Sequence, residues 1–217
     1  MRDILENEGR VWARGALSEH DLNIMTRAMG RVSAGQRLAW SPDLCKVAGT
    51  QSRLTDLAGE LLDGAAAVRL VAFDKSTQTN WALPWHQDRV IAIEDALSAP
   101  GFSNLSKKSG IWHCEPPVSL LETMIFARVH FSRNDAETGA MEISLGSHKF
   151  GKVSASEIDA VVRQLPTETC TAERGDVLFV KALTLHRSSA SSSMQSRAAL
   201  RVDFSNQQLP PPLQWYY

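Results

Sequence analysis

Long apolar runs are missing from this 217-residue sequence. No window approaches the ~20 consecutive apolar residues of a membrane-spanning helix, which removes helical membrane proteins from consideration. The opening stretch, Met1 to Arg10, is charged throughout and lacks the apolar core of a secretory signal. An excess of charge of either sign is missing too. Lys plus Arg number 23 against 24 Asp plus Glu, and the sequence pI is about 6.6, so there is no basic footprint for nucleic acid or an anionic membrane surface. Small molecules are the expected partners. Cysteine is scarce: Cys45, Cys114 and Cys170 are odd in number, far apart and without a CxxC, which excludes a disulfide framework or a zinc knuckle. They are expected to be small buried hydrophobes in a reducing, cytoplasmic protein.

What remains is ordinary globular material, 43% apolar and 22% charged, of a length that suits one domain spanning 1–217. Residues 1–65 read as helical. Leu22, Met25 and Met29 recur at helical spacing behind a Ser18/Asp21 cap pair, and a second helix is expected from Thr55 to Leu62, ending at Gly64. From Ala67 the pattern turns to strand. Alternating runs are expected at 67–73, from Trp85 to Ile93, and then at Met124 to Phe131, Ala140 to Leu145, Thr167 to Ala172, Val177 to Val180, Leu183 to His186 and Ala198 to Phe204. One helix, opened by Ser154 and Glu157, interrupts them. Residues 96–120, rich in turn formers, read as a long functional lid loop. The expected fold is therefore mainly β with flanking helices, a sandwich or barrel of which the jelly roll is one member, with its core in 66–205.

The chemistry concentrates at Trp85-His-Gln-Asp88. Residues two apart on a strand face the same side, so His86 and Asp88 project toward one point as two ligands of one metal would. An imidazole with a carboxylate suits Fe(II), Mn(II) or Zn(II), and one further His completes a facial triad with open positions. His186 stands 100 residues beyond His86, and Arg197 eleven beyond His186. A 2-oxo acid chelated by the metal would leave its far carboxylate deeper in the site, where a buried guanidinium binds it bidentately, and Ser188 can add a hydroxyl. Arg201 lies on the same strand face as Arg197 and competes for that role.

Together Phe73-Asp-Lys75, Asn80-Trp81, Trp85-His-Gln-Asp88, the run from Thr138 to His148, His186-Arg-Ser188 and Arg197 resemble the phytanoyl-CoA dioxygenase family of Fe(II)/2-oxoglutarate oxygenases, over about residues 67–205. The resemblance implies a double-stranded β-helix (cupin-like jelly roll). It implies His86, Asp88 and His186 as iron ligands, Arg197 on the C5 carboxylate of 2-oxoglutarate with Ser188 assisting, and consumption of O₂ with hydroxylation of the substrate. The carboxylate of Asp88 argues against a halogenase. The Pro-Gly-Ser-His turn usual in the family reads Leu145-Gly-Ser-His148 here, and the chain is short for the family.

Around this centre, Lys75 is a further candidate for the cosubstrate, while Trp85, Gln87, His113 and Arg128 are candidates for substrate contact. For Lys75, Gln87 and Arg128 a solvated face or a loop-bracing hydrogen bond is the common alternative. His148 is expected to bond backbone. Basic residues Arg89, Lys107, Lys108, Arg128 and Arg133 suit an anionic substrate. The competing function is a non-catalytic jelly-roll module that binds metal or a small molecule in a stress or regulatory role. The aromatic tail, 210–217, is expected to pack on the body or on a second copy in a homodimer.

Overall fold

The computed structural model describes every residue except 31, 33–34, 76–78 and 194–196. Four helices fill the N-terminal quarter: α1 (Arg2–Glu8), α2 (Glu19–Met29), α3 (Pro42–Ala48) and α4 (Arg53–Leu61). Serine starts three of them. Ser18 and Asp21 form a reciprocal capping box, and Ser41 and Ser52 accept from the amides of Leu44 and Thr55, satisfying donors that a helix cannot satisfy itself. Between the helices lie two short strands, β1 (Arg10–Ala13) and β2 (Gln36–Leu38), where the sequence reading had only helix. Both are short and take their place from pairing at opposite edges of the main sheet, so local periodicity could not reveal them.

The remaining strands are β3 (Ala66–Lys75), β4 (Leu83–His86), β5 (Ile91–Ile93), β6 (Ser103–Lys108), β7 (Ile111–Glu115), β8 (Ile125–His130), β9 (Met141–Ser144), β10 (Thr167–Thr169), β11 (Val177–Lys181), β12 (His186–Ser188) and β13 (Arg197–Ser205). Helices α5 (Val118–Thr123) and α6 (Ile158–Arg163) lie among them. A six-stranded sheet runs β1-β11-β8-β13-β3-β2, a four-stranded sheet runs β10-β9-β12-β4, and the named pairs in both are antiparallel. These two sheets make the double-stranded β-helix, so the expected mainly-β jelly roll is the observed fold.

Strand parity decides what each face of the large sheet does. Leu70, Ala72, Ile125, Ala127, Val129, Val177, Phe179, Leu200, Val202 and Phe204 turn outward into a core shared with the N-terminal helices, through Leu22, Met25, Leu44, Leu54 and Leu57. The other parity of β8 and β11, Phe126, Leu178 and Val180, packs with Met141 and Ile143 of the smaller sheet. With both faces covered, β8 is buried at all six positions. That inner parity also carries the charge, because it borders the cleft between the sheets.

Three expectations are corrected. Residues 96–120 are not a loop: they hold the β6–β7 hairpin, which joins β5 in a three-stranded sheet, β5-β7-β6. The alternating run Trp85 to Ile93 is not one strand, since β4 belongs to the four-stranded sheet and β5 to this third one. His186 begins a strand where it was expected to end one, because the chain turns at 182–185, with the Thr184 amide bonded to Lys181 O at 3.0 Å, as it passes from β11 into β12. The tail packs on the body: Trp215 bridges to Ile93, and the Tyr217 ring stacks on Trp40 with centroids 4.9 Å apart.

Candidate metal centre

His86 and His186 are direct partners across the β4–β12 ladder, and their ring centroids lie 4.3 Å apart. Each imidazole is anchored the same way. His86 Nδ1 is 2.8 Å from Pro84 O, and His186 Nδ1 is 2.9 Å from Thr184 O. A carbonyl can only accept, so each Nδ1 carries a proton, and Nε2 is the ring atom each would offer to a metal. Asp88 follows just past β4, with Oδ2 at 3.2 Å from His186 Nε2. Ligand atoms of the three residues lie within 4.8 Å of one another. Burial, with His186 beside it, lowers the pKa of His86 and keeps it a neutral donor. Burial pulls the Asp88 pKa upward, but Arg201 and His186 outweigh it and hold the carboxyl well below the usual range, so it is ionised. Two imidazoles anchored through Nδ1 plus one carboxylate fit a divalent 3d metal with open positions.

The triad opens onto a cleft of about 660 Å³, its mouth included. The floor is the inner face of β2, β3, β8 and β13, and its register sets out charge in rows. Arg128, Arg201, Val71 and Arg37 are successive partners across β8, β13, β3 and β2, and Phe126, Asp203 and Arg69 form the next row. Arg201 donates to Asp203 Oδ1 at 2.5 Å and also pairs with Asp88, while Arg69 donates to Asp203 Oδ2 at 2.6 Å and to Val90 O at 2.7 Å. Among the described residues Arg197 meets only neutral acceptors, Gly139 O at 2.5 Å and Asn134 Oδ1 at 3.3 Å, and its Nε has no partner. Ser188 shares the cleft wall with Arg197 and both histidines.

The other sequence candidates divide. Arg128 lines the cleft. Gln87 does not: its amide donates to Gly151 O and Leu183 O, both at 2.7 Å, and its Oε1 accepts from the Val153 amide at 2.9 Å. Between two residues that face the cleft, Gln87 must face away, and there it braces the loop behind the triad. Trp85 turns to the same side, against Val153, Val161 and Leu185, with Arg187 over its ring. His113 is wholly buried in β7 with Nδ1 3.0 Å from Ile111 O, outside the cleft lining. Lys75 pairs with Arg197 in register, but its ammonium donates to Ser189 O at 2.6 Å and sits 4.8 Å from the Trp81 ring centre. His148, as expected, bonds backbone, Nε2 to Glu6 O at 3.1 Å. Phe73, Trp81, Leu83 and Met141 also line the cleft. Parity on β3 points to Phe73, whereas Arg37 rides on a strand the sequence did not disclose.

A family model for phytanoyl-CoA dioxygenase (PhyH) matches residues 5–199. The chain belongs to the phytanoyl-CoA dioxygenase family. That membership places it among the iron- and 2-oxoglutarate-dependent oxygenases, with His86, Asp88 and His186 as the group that could hold the metal. No curated protein sequence is similar enough to count as a match. Among solved structures, the chain is similar to EctD from S. alaskensis, crystallised with 2-oxoglutarate and 5-hydroxyectoine: TM-score 0.68, 16% identity, 94% of this chain and 74% of that one covered. It is also similar to the epimerase SnoN in complex with Fe3+, alpha ketoglutarate and nogalamycin RO (0.67, 16%, 94% and 82%). AviO1 from Streptomyces viridochromogenes Tue57 (0.66, 14%, 96% and 95%) has nearly the same extent, so this family member is not unusually short beside it. At these identities the likeness is one of fold.

Proposed function

We propose that residues 1–217 act as one catalytic domain that hydroxylates an unactivated C–H bond of a small, anionic organic substrate. Convergence of two tautomer-locked imidazoles and an ionised carboxylate on one point of a charged cleft carries this reading. His86 Nε2, His186 Nε2 and Asp88 would hold Fe(II). When bound, iron, 2-oxoglutarate and O₂ supply the oxidising power, with succinate and CO₂ as coproducts. The protein orients and shields. Pro84 O and Thr184 O fix the two rings, and Arg201 keeps Asp88 ionised.

Arg197 is the better candidate than Arg201 for the far carboxylate of 2-oxoglutarate. Arg201 already meets two carboxylates, and Arg197, equally buried, meets none among the described residues. Ser188 on the same wall suits a supporting hydroxyl, and Lys75 beside Arg197 raises the local positive potential. Phe73, Trp81 and Met141 supply apolar surface for the body of the substrate and exclude water from it. The test is anaerobic addition of Fe(II) and 2-oxoglutarate, read for a metal-to-ligand charge-transfer band, followed by O₂ and an assay for succinate. Formation of both, and loss of both in His186→Ala, is expected. No band and no succinate, with or without candidate substrates, would overturn the proposal.

A further inference from the structure

Arg128 is a guanidinium of the cleft that the proposed chemistry leaves without work. Arg128 is 6% exposed, on the inner face of β8. Among the described residues it has no hydrogen-bond or ion-pair partner, and its Nε is buried and unpaired. Its guanidinium carbon lies over the Phe73 ring, 4.9 Å from the ring centre. Ala199 explains how it gets there. It stands between His130 and Phe73 in the register, and its methyl leaves room for Arg128 to lie across β13 toward β3.

Nearby cations make this costlier. Burial, with Arg197 and Arg201 close by, pushes the Arg128 pKa down to about 9. Two arginines of the floor show what compensation looks like here, since Arg69 and Arg201 share Asp203. A buried, unpaired charge is strongly unfavourable unless an anion arrives to meet it. 2-Oxoglutarate does not supply that anion, because one of its carboxylates goes to the metal and the other to Arg197.

We propose that Arg128 is a specificity-determining residue that binds a carboxylate of the organic substrate, in a subsite of its own beside the one at Arg197. The assignment rests on the proposed function only for what occupies Arg197. A planar guanidinium over Phe73, unpaired among the described residues, suits bidentate contact, and the apolar wall of Phe73, Trp81 and Met141 suits an unsaturated or aliphatic body attached to that carboxylate.

The experiment compares wild type with Arg128→Met and Arg128→Lys. In metal-free protein and low-anion buffer, Arg128→Met is expected to melt about 3 °C or more above wild type, since it removes an uncompensated buried charge. Mn(II)-loaded protein saturated with 2-oxoglutarate is then titrated with acetate, hexanoate and benzoate by calorimetry. Wild type is expected to bind at least one of them, Arg128→Met at least about tenfold more weakly and Arg128→Lys in between, with affinity for 2-oxoglutarate itself changed by less than about threefold. Destabilisation of metal-free Arg128→Met would mark a structural residue and overturn the proposal. So would a loss of 2-oxoglutarate affinity matching that of Arg197→Met, or a wild type indifferent to all three acids. Should 2-oxoglutarate itself fail to bind, the proposed function falls, while melting and direct titration with the monocarboxylates still read Arg128.

Discussion

Gln87 sits between two metal-ligand candidates, and the sequence offered it as a substrate contact; the structure gives it three hydrogen bonds on the far side of the strand. Gln87→Ala would leave Gly151 O, Leu183 O and the Val153 amide short of a partner in a region only 8% exposed at Gln87. Each stranded buried group costs about 1 kcal/mol or more, so a loss of about 3 kcal/mol is expected. For a chain of this size that corresponds to a fall in Tm of about 9 °C. Gln87→Glu should be worse, because its carboxylate would face two carbonyls and could not donate to either. Urea denaturation of both variants measures the loss. Because the same bonds hold the segment carrying His86 and Asp88, metal affinity should fall with stability. A Gln87→Ala protein within about 1 kcal/mol of wild type, but with a raised KM for substrate, would refute this reasoning and restore Gln87 to the cleft.

Three further outcomes are expected. His113 and His130 are buried as neutral rings, their pKa values pushed by burial to about 4 and about 3. The unfolded chain therefore binds more protons below pH 6.5, and stability should fall as pH drops from there toward 4, by up to about 1.4 kcal/mol per pH unit for each histidine. Urea midpoints at pH 7, 6 and 5 measure the slope, and a slope that His130→Asn leaves unchanged would contradict it. Arg201→Met should destabilise the fold by about 3 kcal/mol by stranding Asp88 and half of Asp203, whereas Arg197→Met should spare the fold more and raise KM for 2-oxoglutarate about a hundredfold. The reverse pattern in paired denaturation and kinetic runs would exchange the two roles. Mn(II) should raise the Tm of wild type and leave His86→Ala and Asp88→Ala unmoved; a metal shift that survives both substitutions would place the ion elsewhere.

Much of the site was readable before any coordinates. The two-residue spacing of His86 and Asp88 needs only an extended backbone to put both on one side, and strand parity alone put Arg197 and Arg201 on one face. Which of the two arginines meets carboxylates, however, depended on Asp203 and Asp88 reaching Arg201, contacts 2 and 113 positions apart in the chain. Gln87 and Trp85 were misjudged for a related reason. Nearness in sequence to the ligands suggested the cleft, but the same parity that turns His86 inward turns its neighbours out.

By itself the sequence determined the strand-rich class, the capped N-terminal helices and the three side chains that could hold a metal, since these follow from periodicity, serine caps and donor chemistry that are local or nearly so. Tertiary structure alone decided that β1 and β2 close the edges of the large sheet, that residues 96–120 hold a hairpin, and that Arg128 lies over Phe73 with no ion-pair partner among the described residues. Those outcomes depend on which strands become neighbours and on which charges find a partner, and long-range pairing is energy that no short window of residues contains.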